Sequence, residues 1–380
     1  MNKIVVASDS FKGSVSSMEI AENAELAIHK VFPDCEVIKI PVGDGGEGTL
    51  TALVSILKGE LVSCTVNGPL LEPVLAQYGI IKGSYTAIIE MAAASGLTLI
   101  PQDKRNPMLT STYGTGELIR DALDKGCRKF LIGVGGSATN DGGTGMLQAL
   151  GFKFLDTKGE ELGYGGQILN EICAIDDTEV LPSVREASFT IACDVNNPLS
   201  GSNGAAHVYA HQKGADDQMI LELDKGLSRF AKVIKEKFNK DVNSVPGAGA
   251  AGGVGGGFLG FLNASLKLGI EVVLDAIEFA DLIRGAELII TGEGKLDAQT
   301  GMGKTPAGIL KVAKKQGIPV IAIGGSVNAV EELNEAGFLS VLPLLPYPVS
   351  LEQAMDSEFT LENIRRTIEQ QLRVIAYYKA

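Results

Sequence analysis

The segment Gly135-Gly-Ser-Ala-Thr-Asn-Asp-Gly-Gly-Thr-Gly145 is the densest concentration of chemistry in the chain. Its five glycines in eleven residues let the backbone approach a ligand closely and turn N–H groups toward it. Ser137, Thr139, Asn140 and Asp141 bring hydroxyl, amide and carboxylate groups into the same turn. The apolar run Phe130-Leu-Ile-Gly-Val134 before it reads as a buried strand, and Met146-Leu-Gln-Ala-Leu150 after it as the start of a helix. A strand, a glycine-rich turn and a helix N-terminus make a site for anions such as phosphate. A plain helix cap needs only one or two such polar residues.

Other polar loops carry the remaining parts of phosphoryl-transfer chemistry. That reaction needs positioned phosphates, positive charge, Mg²⁺ and a base beside the acceptor hydroxyl. Asp9 with Lys12, Asp44 with Glu47, then Asp194, Glu293, Lys295 and Asp297 all fall in such loops. Magnesium prefers hard oxygens and keeps waters, so one or two carboxylates suffice. Each group also has a plainer role open to it. Asp44 and Glu47 could cap the following helix, Lys12 could be a solvated loop lysine, and Asp194 could make an Asx turn before Pro198. Ala298-Gln-Thr-Gly-Met-Gly-Lys-Thr305 matches a relaxed phosphate loop, but the expected strand ends near Thr291, several residues too early for that mechanism. No G-x-G-x-x-G dinucleotide fingerprint begins at Gly135 or Gly292.

The elements that must position these loops alternate in period. Lys3 to Ala7 and Glu36 to Ile40 read as strands, with a helix between them capped by Ser16 or Ser17 and running to about Lys30. A further helix follows from Leu50 to Leu57. Leu61 to Val66, Val74 to Ile81 and Tyr85 to Met91 are too closely spaced for crossover helices, which predicts antiparallel strands. Helices are expected over Gly114 to Lys125 and Met219 to Phe238, and a strand over Ala187 to Cys193. Near the end, strands at Ala286 to Thr291, Pro319 to Ile323 and Phe338 to Leu342 alternate with helices at Thr305 to Gln316 and Ala329 to Ala336. Leu361 to Tyr377 closes as an amphipathic helix. The fold class is α/β with two domains. Residues 1–60 and 285–380 form a discontinuous Rossmann/flavodoxin-like parallel-sheet domain. Residues 61–284 form an inserted α/β domain with a mixed sheet, and the active site is expected in the cleft between the two.

Composition narrows the function classes. A chain of 380 residues exceeds one ordinary core. Its 47 glycines are well above the usual share of about 7%. A net charge of −13, with no Trp, argues against nucleic acid and anionic membranes as partners. Five scattered cysteines without a C-x-x-C pair fit reduced thiols and a cytoplasmic location. The N-terminus reads as no signal peptide, and Ser244 to Leu266, though uncharged, holds too many glycines to read as a membrane span.

Taken together, the segments Ser8-Asp-Ser-Phe-Lys-Gly-Ser14, Asp44-Gly-Gly-Glu-Gly-Thr49, Gly135-Gly-Ser-Ala-Thr-Asn-Asp-Gly-Gly143, Cys193-Asp-Val-Asn-Asn-Pro-Leu199, Gln212-Lys-Gly-Ala215, Pro246-Gly-Ala-Gly-Ala-Ala-Gly-Gly253 and Thr291-Gly-Glu-Gly-Lys-Leu-Asp297 make a pattern. In this the chain resembles the bacterial type I glycerate kinases nearly end to end. Where family members often carry arginine it has Lys295, which keeps the charge but not a bidentate fork. The resemblance implies an ATP- and Mg²⁺-dependent kinase acting on D-glycerate, and suggests 2-phosphoglycerate as product. The 3-hydroxyl remains open, as do a nicotinamide-dependent hydroxy-acid oxidoreductase and a non-catalytic nucleotide sensor. Under the resemblance, Gly135, Gly136, Ser137, Thr139 and Asn140 hold ATP, and Asp44 and Glu47 organise Mg²⁺. Lys12 and Lys295 neutralise the transferring group or the glycerate carboxylate, while Ser8, Asp9, Asn196 and Asn197 bind substrate. Asp194 is the first choice for general base and Asp141 the second. A monomer or homodimer is expected.

Overall fold

Strands form where β-branched and aliphatic residues run uninterrupted between turn residues. In chain order they are β1 (Lys3–Ser8), β2 (Glu36–Pro41), β3 (Glu60–Asn67), β4 (Pro73–Ile81), β5 (Thr86–Glu90), β6 (Lys129–Gly133), β7 (Lys153–Leu155), β8 (Ala174–Asp176), β9 (Ser188–Ala192), β10 (Ala264–Lys267), β11 (Leu288–Leu296), β12 (Val320–Val327) and β13 (Ser340–Pro343). The computed structural model describes residues 1–43, 49–298, 300 and 303–379. Backbone contacts divide the chain into two compact units, Met1–Asp44 with Val273–Ala380, and Gly45–Val272.

In the first unit all strands are parallel, in the order β13-β12-β11-β1-β2. Counted within the unit this is 2-1-3-4-5, the flavodoxin-like doubly wound order, which reverses between β1 and β11. Every residue of β1 from Ile4 onward is buried, as expected for a strand covered on both faces. Ile4, Val6, Leu288, Ile290, Ile321 and Ile323 share one core with two helices, Ser17–Val31 and Ser357–Lys379. Those helices contribute Ile20, Ala24 and Ile28, and Ile364, Ile368 and Leu372, each a stripe at four-residue spacing. The first helix starts with a capping box: Glu19 N donates to Ser16 Oγ at 3.3 Å, and Ser16 N donates to Glu19 Oε2 at 2.8 Å.

The second unit holds a mixed sheet in the order β10-β9-β6-β5-β4-β3. β10, β9, β6 and β5 are parallel, whereas β4 alone runs the other way, antiparallel to both β5 and β3, as the short Asn67-Gly-Pro69 connection between β3 and β4 requires. Phe130 and Phe189 stack at 4.8 Å in its core, and Phe154, Phe230 and Phe261 pack beside the small β7–β8 hairpin. Among the described residues no helix is long and apolar enough to cross a membrane, and all five cysteines are free thiols.

Three features depart from the sequence expectation. The units divide at 44/45 and 272/273 rather than at 60/61 and 284/285, because the helix Thr49–Ile56 packs on β4 and β5. β11 runs on to Leu296 instead of stopping near Thr291, and β12 to Val327 instead of Ile323, because their parallel pairing continues from Gly292 opposite Ile323 to Leu296 opposite Val327. Gly292 permits this: a Cβ there would sit 2.5 Å from the Ile323 carbonyl oxygen. The extension also removes the gap on which the phosphate-loop match at Ala298 to Thr305 was set aside. Residues 299, 301 and 302 of that match lie outside the described set.

The glycine-rich stretch after Pro246 folds into the helix Ala250–Phe261, interrupted by left-handed backbone at Ala251, Gly252 and Gly253. A Cβ on Gly252 would lie 2.1 Å from the carbonyl oxygen of Thr139. Gly252→Ala is therefore expected to lower stability by about 2 kcal/mol or more, read as a shifted urea midpoint. An unchanged midpoint would show that the two segments do not press on each other.

Candidate active site

Parallel strands deliver their following loops to one edge of the sheet, and both units place their polar segments there. In the second unit β6 and β9 are adjacent and parallel. The loop after β6 is stitched to the segment after β5 by Leu97 N donating to Gly136 O at 2.8 Å and Ala138 N to Ser95 O at 2.9 Å. Gly135 and Gly136 stay exposed at its tip, and Gly136 takes a left-handed φ of 69°. Ser137, Thr139, Asn140 and Asp141 turn inward and are buried. Thr139 Oγ1 and both amide atoms of Asn140 have no hydrogen-bond partner among the described residues.

Asp141 is the anchor of that loop. Its carboxylate accepts from Thr112 N and Thr112 Oγ1, both at 2.8 Å, from Gly143 N at 3.0 Å and from Gly145 N at 3.3 Å. Burial pushes its carboxyl above the usual carboxylate range, against the pull of these donors. Lys213 meets the same loop from the opposite direction. Its Nζ donates to Ser137 Oγ at 2.8 Å and to Thr139 O at 2.6 Å, and the side chain is sealed from water. Burial brings its ammonium down to about 7, with Asp141 opposing the shift. Lys213 was not among the residues singled out for chemistry. Its signal is the segment Gln212-Lys-Gly-Ala215, one of those that carry the family resemblance, where Gly214 adopts φ 95° and a Cβ would meet the Arg105 carbonyl oxygen at 2.2 Å.

Asp194 follows β9 and is exposed, with Gly269 N donating to its Oδ1 at 2.8 Å. Asn196 is exposed as well. Asn197 is occupied by its own loop: its Nδ2 donates to Asn203 O at 2.8 Å, and Tyr209 OH donates to its Oδ1 at 2.6 Å.

In the first unit the reversal between β1 and β11 opens a cavity of about 460 Å³ at the carboxyl ends of the strands. Asp9, Lys12 and Lys295 line it together with Glu293 and Lys304. Ser8 sits beneath, its hydroxyl donating to the carbonyl oxygens of Asp9 and Gly292 at 3.0 Å each, so its role there is structural. Lys295 Nζ lies 3.0 Å from Asp297 Oδ2, and Lys304 Nζ 4.0 Å from Oδ1. Glu293 accepts a short hydrogen bond from Thr300 Oγ1. Burial raises its carboxyl; Thr300 and Lys304 oppose that, and Asp9 and Asp297 add to it. Asp44 and Glu47 lie outside the described residues.

A glycine-rich turn before a helix in one α/β sheet, and lysines beside carboxylates at the switch point of another, are features suited to a phosphate-handling enzyme. The chain belongs to the glycerate kinase family, whose model matches residues 4–376. It is 48% identical over 370 residues to a glycerate kinase of Halalkalibacterium halodurans, covering 97% of each chain. It is 46% identical to the glycerate 2-kinase of Escherichia coli K12, covering 96% of this chain and 95% of the other. A crystal structure of a Salmonella typhimurium LT2 protein assigned as glycerate kinase 2 superposes with a TM-score of 0.87 at 41% identity, covering 100% of this chain and 99% of that one.

The buried ammonium has a pH signature. Because Lys213 titrates at about 7 in the folded state and near 10.4 when unfolded, the unfolded chain holds the extra proton between those values. Its contribution is full above the unfolded value and is lost as pH falls toward 7. Relative to Lys213→Met, the wild type should gain up to about 1.4 kcal/mol per pH unit across that window. Paired thermal melts at pH 7 and pH 9.5 would read this, and a constant Tm difference would contradict it.

Proposed function

We propose that this chain transfers the terminal phosphoryl group of ATP to the 2-hydroxyl of D-glycerate, giving 2-phosphoglycerate and ADP. The observation that carries this is similarity along almost the whole chain to proteins named glycerate kinase, one of them glycerate 2-kinase. A cytoplasmic monomer or homodimer fits the free thiols and the net charge of −13.

Each part of the reaction has residues suited to it. Gly135 and Gly136 offer exposed backbone to an anion, either a phosphate of ATP or the glycerate carboxylate, while the Ser137 hydroxyl faces inward and accepts from Lys213. Asp141 and Lys213 keep that loop in shape from beneath, so Asp141 is better suited to positioning than to proton transfer. Thr139 and Asn140 lie below the same surface and support it from inside. Lys12 and Lys295 supply positive charge toward the transferring group. Asp194, exposed at the end of β9, is the proposed base that takes the proton of the acceptor hydroxyl, with Asn196 beside it to orient the acid.

The described residues also suit Mg²⁺, although no group of three or more His, Cys, Asp or Glu side chains among them is arranged to hold a metal. Asp9, Glu293 and Asp297 crowd negative charge at one place, and their hard oxygens are the donor type this ion takes. Asp9 and Glu293 would hold it, with Asp44 and Glu47 as the sequence-derived alternatives. When bound, it would screen the charge of the phosphate oxygens.

³¹P NMR of the protein with ATP, Mg²⁺ and D-glycerate should show a new phosphomonoester at the position of 2-phosphoglycerate. A 3-phosphoglycerate signal would reverse the choice of hydroxyl, and no transfer would reject the activity. Asp194→Asn should lower kcat by about 10²–10⁴-fold with an unchanged Tm. A loss under about threefold would remove Asp194 from the role of base.

A further inference from the structure

The cavity at the switch point of the parallel sheet is larger and more apolar than the acceptor requires. Glycerate is a small acid, polar on every side, and would occupy a minor part of about 460 Å³. The lining combines two kinds of side chain. Asp9, Lys12, Glu293, Lys295 and Lys304 are charged. Phe11, Leu344, Leu345, Leu351, Met355 and Phe359 give it an apolar wall.

That apolar wall opens to solvent. Leu351 is 78% exposed and Met355 39%, while Phe11 and Leu344 behind them are buried. The short helix Leu351–Met355 presents both side chains, and Ser350 caps it by accepting from Gln353 N at 3.2 Å. Tyr347, 56% exposed, extends the wall edge-on to Phe359 with ring centroids 6.4 Å apart. Large apolar side chains gathered at the mouth of a cavity mark a ligand surface more often than a bare one. Among the charged lining residues, Lys304 is the N-cap residue of the helix Thr305–Lys315, so a helix N-terminus adds its positive end to the three ammonium groups.

We infer that this cavity is the nucleotide site, with the purine against Leu351, Met355 and Phe359 and the phosphates toward Lys12, Lys295 and Lys304. The inference rests on the kinase reading and adds where the nucleotide goes. A purine is flat and aromatic, and it gains from leaving water between aliphatic and aromatic walls. The phosphates need local positive charge to overcome a chain of net charge −13, and Lys12, Lys295 and Lys304 supply it.

The test is calorimetric titration of the full-length protein with ADP and, separately, with inorganic tripolyphosphate, which carries the charge without the base. The proteins compared are the wild type, Leu351→Asn and the double variant Leu351→Asn/Met355→Asn. Because Leu351 is mostly exposed, the single variant keeps the test valid should the double variant fold poorly. ADP should bind about tenfold more weakly to the double variant and severalfold more weakly to the single one, with tripolyphosphate changed by less than about threefold. ADP affinities within about twofold of wild type in both variants would overturn the inference, as would equal losses for ADP and tripolyphosphate. Absence of ADP binding to the wild type would overturn it too. If phosphorylated glycerate forms while ADP ignores the substitutions, the cavity assignment falls and the kinase stands. If ADP binding responds but no phosphorylated glycerate forms, the cavity assignment stands and the kinase falls.

Discussion

A buried ammonium and a buried carboxylate grip the loop after β6, and the shape of the second unit's polar edge follows from satisfying them. Taking either charge out of water is unfavourable unless hydrogen bonds replace the lost hydration. Asp141 achieves this with four donors from Thr112, Gly143 and Gly145, and Lys213 with two acceptors on Ser137 and Thr139. Apart from Thr112, those partners are spread along the loop, so its backbone has little freedom left. The left-handed glycines 252 and 253 add a second restraint. They let the helix Ala250–Phe261 press onto Thr139 and Gly142, with Gly142 N donating to Gly252 O at 3.0 Å. Rigidity placed under the surface leaves Gly135 and Gly136 exposed at the tip, where a ligand can reach their N–H groups.

The two units meet the same need by different routes. In the first, strand order reverses between β1 and β11, and the crevice comes from topology alone. Its loops need only line an opening that already exists. In the second, the order β10-β9-β6-β5-β4-β3 never reverses, so no such crevice arises. There a glycine-rich backbone is held over buried charge. The lysines differ most between the two: Lys295 and Lys304 beside the first unit's cavity are open to water, although Asp9 and Glu293 there are buried, whereas Lys213 beneath the second unit's loop is sealed.

Much of the fold was legible because periodicity and caps are local. Ser16 with Glu19 marks a helix start, and the tight spacing of the runs from Leu61 to Met91 marks antiparallel strands. The ends of β11 and β12 were missed because glycines in sequence signal a turn, whereas here Gly292 and Gly324 let two parallel strands stay paired. β7, β8 and β10 are three or four residues long, too short for any period to show.

The candidate site divides along the same line. Sequence by itself determined which segments carry chemistry, because glycine, hydroxyl and carboxylate clusters after apolar runs are properties of neighbouring residues. It placed Asp9 and Lys12 after β1, where the cavity is found, and put Lys295 in a loop although it lies on β11 beside the same cavity. Tertiary structure alone decided their environment. Asp141 and Asp194 look alike as loop aspartates, yet one is sealed under four donors and the other faces solvent. Lys213 looks like any surface lysine beside a charged helix until burial brings its ammonium near neutrality. Leu344, Leu351 and Phe359 look like ordinary helix or strand residues until they form one wall. Burial and proximity are set by residues far apart in the chain, so desolvation and charge coupling become defined only once the chain has closed on itself.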